Sequence, residues 1–334
     1  MADVAEVPHP REVFELQGHE GPEAAFEDAR TRGRLHHAWL LTGPEGVGKA
    51  TFAYRAARRL LGAPAEPSYG LLGVDPGHPI SRQVMGRAHP DLLVIERIGE
   101  DGKPRKVIPV DDARKLSEFF SKSPASAPYR VAIVDAADDL NINAANALLK
   151  TLEEPPPKGV LLMVAHSPGR LLPTIRSRCR RLAFTPPGQE AAAAFVRART
   201  EVSDEAALRL AKMAGGAPGR ALALAASHAI ALDDVARELL ADLPRVDEAM
   251  ALSIADRFKG GEGQVQFNLL FDRLAERVRT MVTDRAAQGL GALDRWAQAW
   301  ETLQRLPREV EALNLDRTDA LFAALVELRQ AARA

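Results

Sequence analysis

Leu40-Leu41-Thr42-Gly43-Pro44-Glu45-Gly46-Val47-Gly48-Lys49-Ala50-Thr51 is the stretch that decides the fold. An apolar run ends in a glycine-rich turn and a lysine, and a helical pattern, Ala50–Leu61, follows. Strand, glycine turn, helix is the setting of a phosphate loop. Its glycines let backbone N–H groups curl towards a phosphate, and the helix N-terminus adds partial positive charge. Gly43, Gly46 and Gly48 are the candidate cradle, and Lys49 is the candidate contact to the terminal phosphates. A plain tight turn with a solvated lysine is the alternative, and the complete spacing argues against it. One part departs from the pattern. Such a loop normally follows its lysine with Ser or Thr, whose hydroxyl ligates Mg²⁺. Here Ala50 holds that place and Thr51 comes one residue late, a rotation of about 100° on a helix. Thr51 stays a candidate nucleotide-site residue, but metal positioning is compromised.

Outward from this loop, short Val-, Ile- and Leu-rich runs alternate with helical patterns. Candidate strands are Ala38–Thr42, Leu92–Ile95, Arg130–Asp135, Val160–Ala165 and Arg180–Phe184. Mostly apolar and without alternation, they read as strands of a parallel sheet buried on both faces. Helical candidates between them are Asp111–Lys122, Asn143–Leu152 and a short turn at Leu171–Arg176. The alternation predicts an α/β layer architecture. Gly62–Pro90, dense in Pro and Gly, reads as a long surface insertion. After Pro186-Pro187 the pattern is helical to the end. Ser203 reads as an N-cap, Gly215-Gly216 as a stop, and Phe267, Leu270, Phe271, Leu274, Val278, Met281 and Val282 as one apolar stripe on 264–286. That stripe, like Trp296 and Trp300, reads as core or subunit interface rather than a cofactor pocket.

The whole composition excludes several classes. The 334 residues carry 44 Lys and Arg against 45 Asp and Glu, a formal net charge of −1. A free-standing, non-specific DNA binder usually has a large basic excess. The single cysteine, Cys179, rules out an intrachain disulfide and a thiolate zinc cage. No run approaches about 18 uninterrupted apolar residues, and Met1–Pro10 lacks the basic and apolar regions of a signal peptide. A cytoplasmic protein with no membrane partner is expected.

Asn141-Ile142-Asn143-Ala144-Ala145-Asn146-Ala147-Leu148-Leu149-Lys150-Thr151-Leu152-Glu153-Glu154-Pro155-Pro156-Pro157 is the most informative stretch after the loop. Ala145, Leu148, Leu149 and Leu152 form one apolar face, and the prolines end the helix. Glu153 and Glu154 occupy its last turn, where the helix dipole disfavours anions by roughly 0.3–1 kcal/mol each. Local inconsistency of this kind often marks a functional requirement. The bland alternative is two exposed acids offset by Lys150 and solvent.

With this run and the later Ser177-Arg178-Cys179, the chain resembles the bacterial clamp-loader subunits of the AAA+ class, over about residues 35–224. The resemblance implies an AAA+ P-loop parallel-sheet domain at 1–186, a helical lid at 187–245 and an all-helical oligomerising collar at 246–334. Asp135 matches the aspartate that supports magnesium, while Ala136 stands where the class has a water-activating glutamate. Arg178 matches the finger inserted into a neighbouring subunit's ATP site, a catalytic role in trans. From composition alone, with Arg176, Arg180 and Arg181 beside it, a surface arginine would be the simpler reading. Asp138 reads as a surface charge or helix-start residue, Cys179 as a small buried residue, and His36 and His37 as packing or surface residues. Gly62–Pro90 occupies the place of the family's four-cysteine zinc module. His78 and His89 do not make a tetrahedral site, so no metal is expected. In Gly216-Ala217-Pro218-Gly219-Arg220-Ala221-Leu222 the family's lid arginine falls on Gly219, with Arg220 one later. Ala165-His166-Ser167 stands where the first sensor would lie.

The losses imply a non-hydrolysing member of the DNA polymerase III clamp-loader ring. ATP or ADP would bind weakly if at all, with little or no magnesium. Implied partners are the gamma/tau motor and the clamp-opening delta subunit, with the sliding clamp and primed DNA met through the complex. An ATP-hydrolysing clamp-loader motor or helicase-like ATPase using Lys49, Asp135 and Thr51 is the competing reading. An isolated nucleotide-sensing or DNA-binding module is the third.

Overall fold

In the computed structural model the described residues are 7–98, 105–227, 229–243, 246, 248–260, 263–288 and 293–333. Packing gathers the chain into two compact units, Met1–Ala223 and Leu224–Ala334. The boundary expected at residue 245 lies outside the described residues, as does the first part of the N-terminal stretch.

The first unit opens with α1 (Glu20–Thr31), β1 (Ala38–Thr42), α2 (Lys49–Leu60) and α3 (Pro79–Met85). Then come β2 (Leu92–Glu96), α4 (Val110–Phe120), β3 (Arg130–Asp135), α5 (Ile142–Glu153) and β4 (Gly159–Ala165). The short α6 (Pro173–Arg176), β5 (Arg180–Ala183), α7 (Gln189–Arg197) and α8 (Asp204–Met213) follow, and α9 (Pro218–Ala226) runs across the boundary. The strands form one parallel sheet in the order β2-β3-β4-β1-β5. This is the expected α/β parallel-sheet architecture, with β1 between β4 and β5.

The inner strands β1, β3 and β4 are covered on both faces, which is why they read as largely apolar runs, whereas the edge strand β5 buries only Leu182. Trp39, Leu41, Ile133, Leu162 and Val164 point to one core with Phe26 of α1 and Phe52 of α2. Leu40, Ala132, Val134, Leu161 and Met163 point to the other, against Leu116 of α4, Leu148 and Leu152 of α5 and Ile175 of α6. Alternate residues along β1, β3 and β4 therefore serve opposite cores.

One expectation is corrected. The Gly62–Pro90 segment is not merely a surface insertion, because Leu72, Val74 and Val84 are buried in it and α3 forms within it. Pro79 sits in the first turn of α3, where its missing N–H has no helical partner anyway, and the His78 ring caps Ile80 N–H. Proline and glycine density hid a short, properly started helix.

The second unit holds α10 (Ala229–Ala241), α11 (Glu248–Asp256), α12 (Gly263–Ala287), α13 (Leu293–Leu313) and α14 (Arg317–Arg333). Phe267, Leu270, Phe271, Leu274 and Val278 of α12 are buried, with Met281 and Val282 packed at the edge. They meet Trp296 and Leu303 of α13 and Leu321, Leu325 and Leu328 of α14. Arg277 of α12 grips Asp233 of α10 through two hydrogen bonds of 2.9 and 2.6 Å. Among the described residues no helix is long and apolar enough to cross a membrane.

Candidate functional site

In a parallel α/β sheet the loops leaving the C-terminal strand ends collect along one edge, where ligands bind. Here that edge gathers the turn after β1, Glu96 at the end of β2, Asp135 at the end of β3 and His166 just beyond β4. Gly46 has φ +72°, and a Cβ there would lie 2.2 Å from the backbone nitrogen of Arg220. Only glycine admits that approach, and Gly219 N–H donates to Gly46 O at 2.8 Å. The N-terminus of α9 thus seats directly on the phosphate-loop turn. Gly43, at φ +151°, leaves no room either, because a Cβ would meet Phe184 O at 2.2 Å. Gly48 is the left-handed N-cap residue of α2.

Lys49 is buried, and its Nζ donates to Gly43 O at 2.7 Å and Pro44 O at 2.6 Å. The lysine is satisfied by its own loop. Burial lowers its pKa to about 8, opposed by Asp135, Glu45 and Asp138. Thr51 is buried on α2, one position past the half-buried Ala50. Asp135 has its carboxyl pushed up to about 6, first by burial and then by Glu96, with Lys49 and His9 pulling the other way. The adjoining Ala136 is buried and brings no acid or base.

Several groups at this edge carry no sequence motif. His19 Nε2 lies 2.7 Å from Val47 O, tying the N-terminal segment to the loop. Burial lowers the His19 pKa despite that bond. Tyr54 of α2 donates to Glu96 Oε1 at 2.9 Å, and Arg87 and His9 also pair with Glu96. Burial alone would raise Glu96; the His9 hydrogen bond, the Arg87 charge and the Tyr54 hydroxyl outweigh it and hold the carboxyl at about 2. Only the glutamate's partners, distant in sequence, reveal this role, and no local pattern could have found it. Asp138 is buried, not a surface charge, because its carboxylate accepts from His166 N–H at 3.1 Å and Ser167 N–H at 2.8 Å. It links the end of the β3 turn to the position expected for the first sensor.

Arg178 lies elsewhere. It precedes β5, whose register with β1 runs from Trp39↔Arg180 to Thr42↔Ala183. Arg178 is therefore at the N-terminal edge of the sheet and the phosphate loop at the C-terminal edge. Three residue steps of strand, roughly 10 Å, separate the two ends of that register. Its Nη1 donates to Thr174 O at 3.0 Å, and its Nη2 lies 2.8 Å from Glu153 Oε1. The flanking residues do other work. Arg180 covers the Trp39 ring at 4.9 Å, and Arg181 Nε donates to Thr42 Oγ1 at 2.9 Å. Cys179 is half-buried, its thiol pushed up to about 12 by burial. His37 Nε2 lies 3.2 Å from Leu152 O, with its ring stacked on His36. His89 Nδ1 accepts from Asp91 N–H.

A family model described as DNA polymerase III, delta subunit, matches residues 18–188. The DNA polymerase III subunit delta' of Pseudomonas aeruginosa is 36% identical over 198 residues, covering 59% of this chain and 58% of that protein. The delta' subunit of Escherichia coli is 35% identical over 193 residues, covering 58% and 55%. The gamma/tau subunit of Mycobacterium bovis is 33% identical over 175 residues, covering 52% and 29%. The chain thus spans little more than half the length of these delta' relatives.

Proposed function

Because the chain belongs to the DNA polymerase III delta-subunit family matched over 18–188, we propose that it is a non-hydrolysing, delta'-type clamp-loader subunit lending Arg178 to a neighbour's ATP site. The observation that carries this reading is the placement of Arg178 at the sheet edge opposite the chain's own phosphate loop. An arginine there cannot serve the nucleotide of its own chain, so any phosphate it serves belongs to another subunit. A guanidinium suits that work, with fixed charge and forked donors for a developing phosphoryl transition state.

The chain's own site supports the other half of the reading. Lys49 spends two of its three donors on Gly43 O and Pro44 O. Ala50 offers no hydroxyl to a metal, and Ala136 no base to a water. A magnesium ion would find Asp135 without that hydroxyl, and Asp135 is itself driven towards its neutral form. These residues fit magnesium–nucleotide chemistry poorly. In this reading nucleotide binds weakly or not at all, and gamma/tau and delta subunits complete the ring that places a sliding clamp on primed DNA. The Gly46–α9 contact and the Lys49 bonds then fix the shape of a static ring member.

Two measurements test this. The purified chain should show no magnesium-dependent ATP turnover above that of Lys49→Ala. In a complex reconstituted with gamma/tau-type and delta-type subunits, Arg178→Ala should lower DNA- and clamp-stimulated ATPase roughly tenfold or more while the complex still assembles. Robust turnover by the isolated chain, or unchanged ATPase with Arg178→Ala, overturns the reading.

A further inference from the structure

Glu153 is the last residue of α5, at the end of the helix that carries partial negative charge, and Glu154 is its C-cap. Two adjacent acids there oppose the dipole, and Lys150 is the basic residue of that last turn. Local conflict of this kind points to another use for the residue. The structure supplies the use for one of the two: Glu153 Oε1 lies 2.8 Å from Arg178 Nη2.

We infer that Glu153 is a positioning residue for Arg178, holding its guanidinium ready for the neighbouring subunit's phosphates. This rests on the finger reading above and extends it to a second residue. The guanidinium is held at two points from two elements, by Glu153 of α5 and by Thr174 O of α6. Of its five N–H donors these contacts engage two, leaving a forked set for a phosphate. A free arginine side chain samples many rotamers, and a two-point hold removes that freedom before the subunits meet. The pair is half in water, with the side chains 36% and 51% exposed. Such pairs contribute little to folding, so the contact can orient the finger without locking it away. α5 starts at Ile142, capped by Asn141 just past the Asp135 edge, and ends at Glu153 on the Arg178 edge, so one rigid element carries the holder to the finger.

The test uses the reconstituted complex with gamma/tau-type and delta-type subunits and follows DNA- and clamp-stimulated ATPase. Glu153→Gln should lower kcat about fivefold with the KM for ATP little changed, because the finger acts on the transition state. Glu153→Asp, which keeps the charge, should recover most of that loss. Glu154→Gln, removing the same charge one residue on, should behave as wild type. In an Arg178→Ala background, Glu153→Gln should add nothing. If Arg178→Ala lowers the rate and Glu153→Gln does not, or if the two losses multiply, the positioning role is wrong and the finger stands. A loss shared equally by Glu154→Gln also sinks it, by pointing to general helix-end electrostatics. If Arg178→Ala leaves the rate unchanged, both readings fall together.

Discussion

Glu96 and Asp135 sit side by side in register at the ends of β2 and β3, yet their carboxyls are driven in opposite directions. Glu96 accepts from Tyr54 and pairs with Arg87 and His9, so its folded-state pKa falls from 4.5 to about 2. Asp135 is half-buried, and desolvation and then the neighbouring Glu96 charge raise its pKa from 3.8 to about 6. The stability consequences have opposite signs. Glu96 stabilises the fold above its unfolded pKa, and that contribution is lost as pH falls from about 4.5 towards 2. Asp135 destabilises the fold once ionised, a cost fully present above about pH 6 and absent below about pH 4. Urea midpoints should therefore show Glu96→Gln destabilising at neutral pH, by an amount that shrinks towards pH 2. Asp135→Asn should stabilise near pH 7.5, by on the order of 3 kcal/mol at most, and give no gain near pH 3.5. A destabilising Asp135→Asn at neutral pH would mean that the carboxylate is better solvated or paired than its surroundings indicate.

α5 is the element on which the candidate chemistry turns. It starts with a side-chain cap, Asn141 Oδ1 accepting from Ala144 N–H at 2.8 Å. It packs Leu148 and Leu152 beneath the sheet and delivers Glu153 to Arg178. Asn141→Ala should cost about 1 kcal/mol of stability, within the usual 0.5–2 range for a lost N-cap. A chemical-denaturation midpoint measures it. If α5 carries Glu153 as one rigid body, the same change should lower ATPase in the reconstituted complex far less than Glu153→Gln does. The apolar face of this helix and its proline stop were legible from local spacing. The partner of its final acid was not, because Arg178 is 25 positions away and meets it only after β4 and α6 have folded back.

Across the whole molecule, each compact unit has its own core. Phe267 is fully buried in the second, with its ring centroid 4.5 Å from that of Phe271 and 5.3 Å from that of Phe258. Phe267→Ala should cost about 3–5 kcal/mol, the range for emptying a well-packed aromatic site. Amide hydrogen exchange should show the loss of protection concentrated between residues 229 and 333, with β1, β3 and β4 retaining theirs. Equal loss in the sheet would mean that the two units unfold as one cooperative body.

The strand segments, the phosphate-loop turn and the apolar stripe of α12 were set by local sequence. Each follows from spacing of side chains along one segment, which elementary backbone geometry converts directly into strand, turn or helix. The matching of Lys49, Asp135 and Arg178 to family motifs was legible for the same reason. Folding alone decided what these groups meet: loop carbonyls on the Lys49 ammonium, Asp138 bound to backbone N–H groups, Tyr54 and Arg87 converging on Glu96, and Arg178 set across the sheet from its own phosphate loop. Such contacts join residues far apart in the chain. Their energies depend on burial and distance, which exist only once the sheet and its helices have packed.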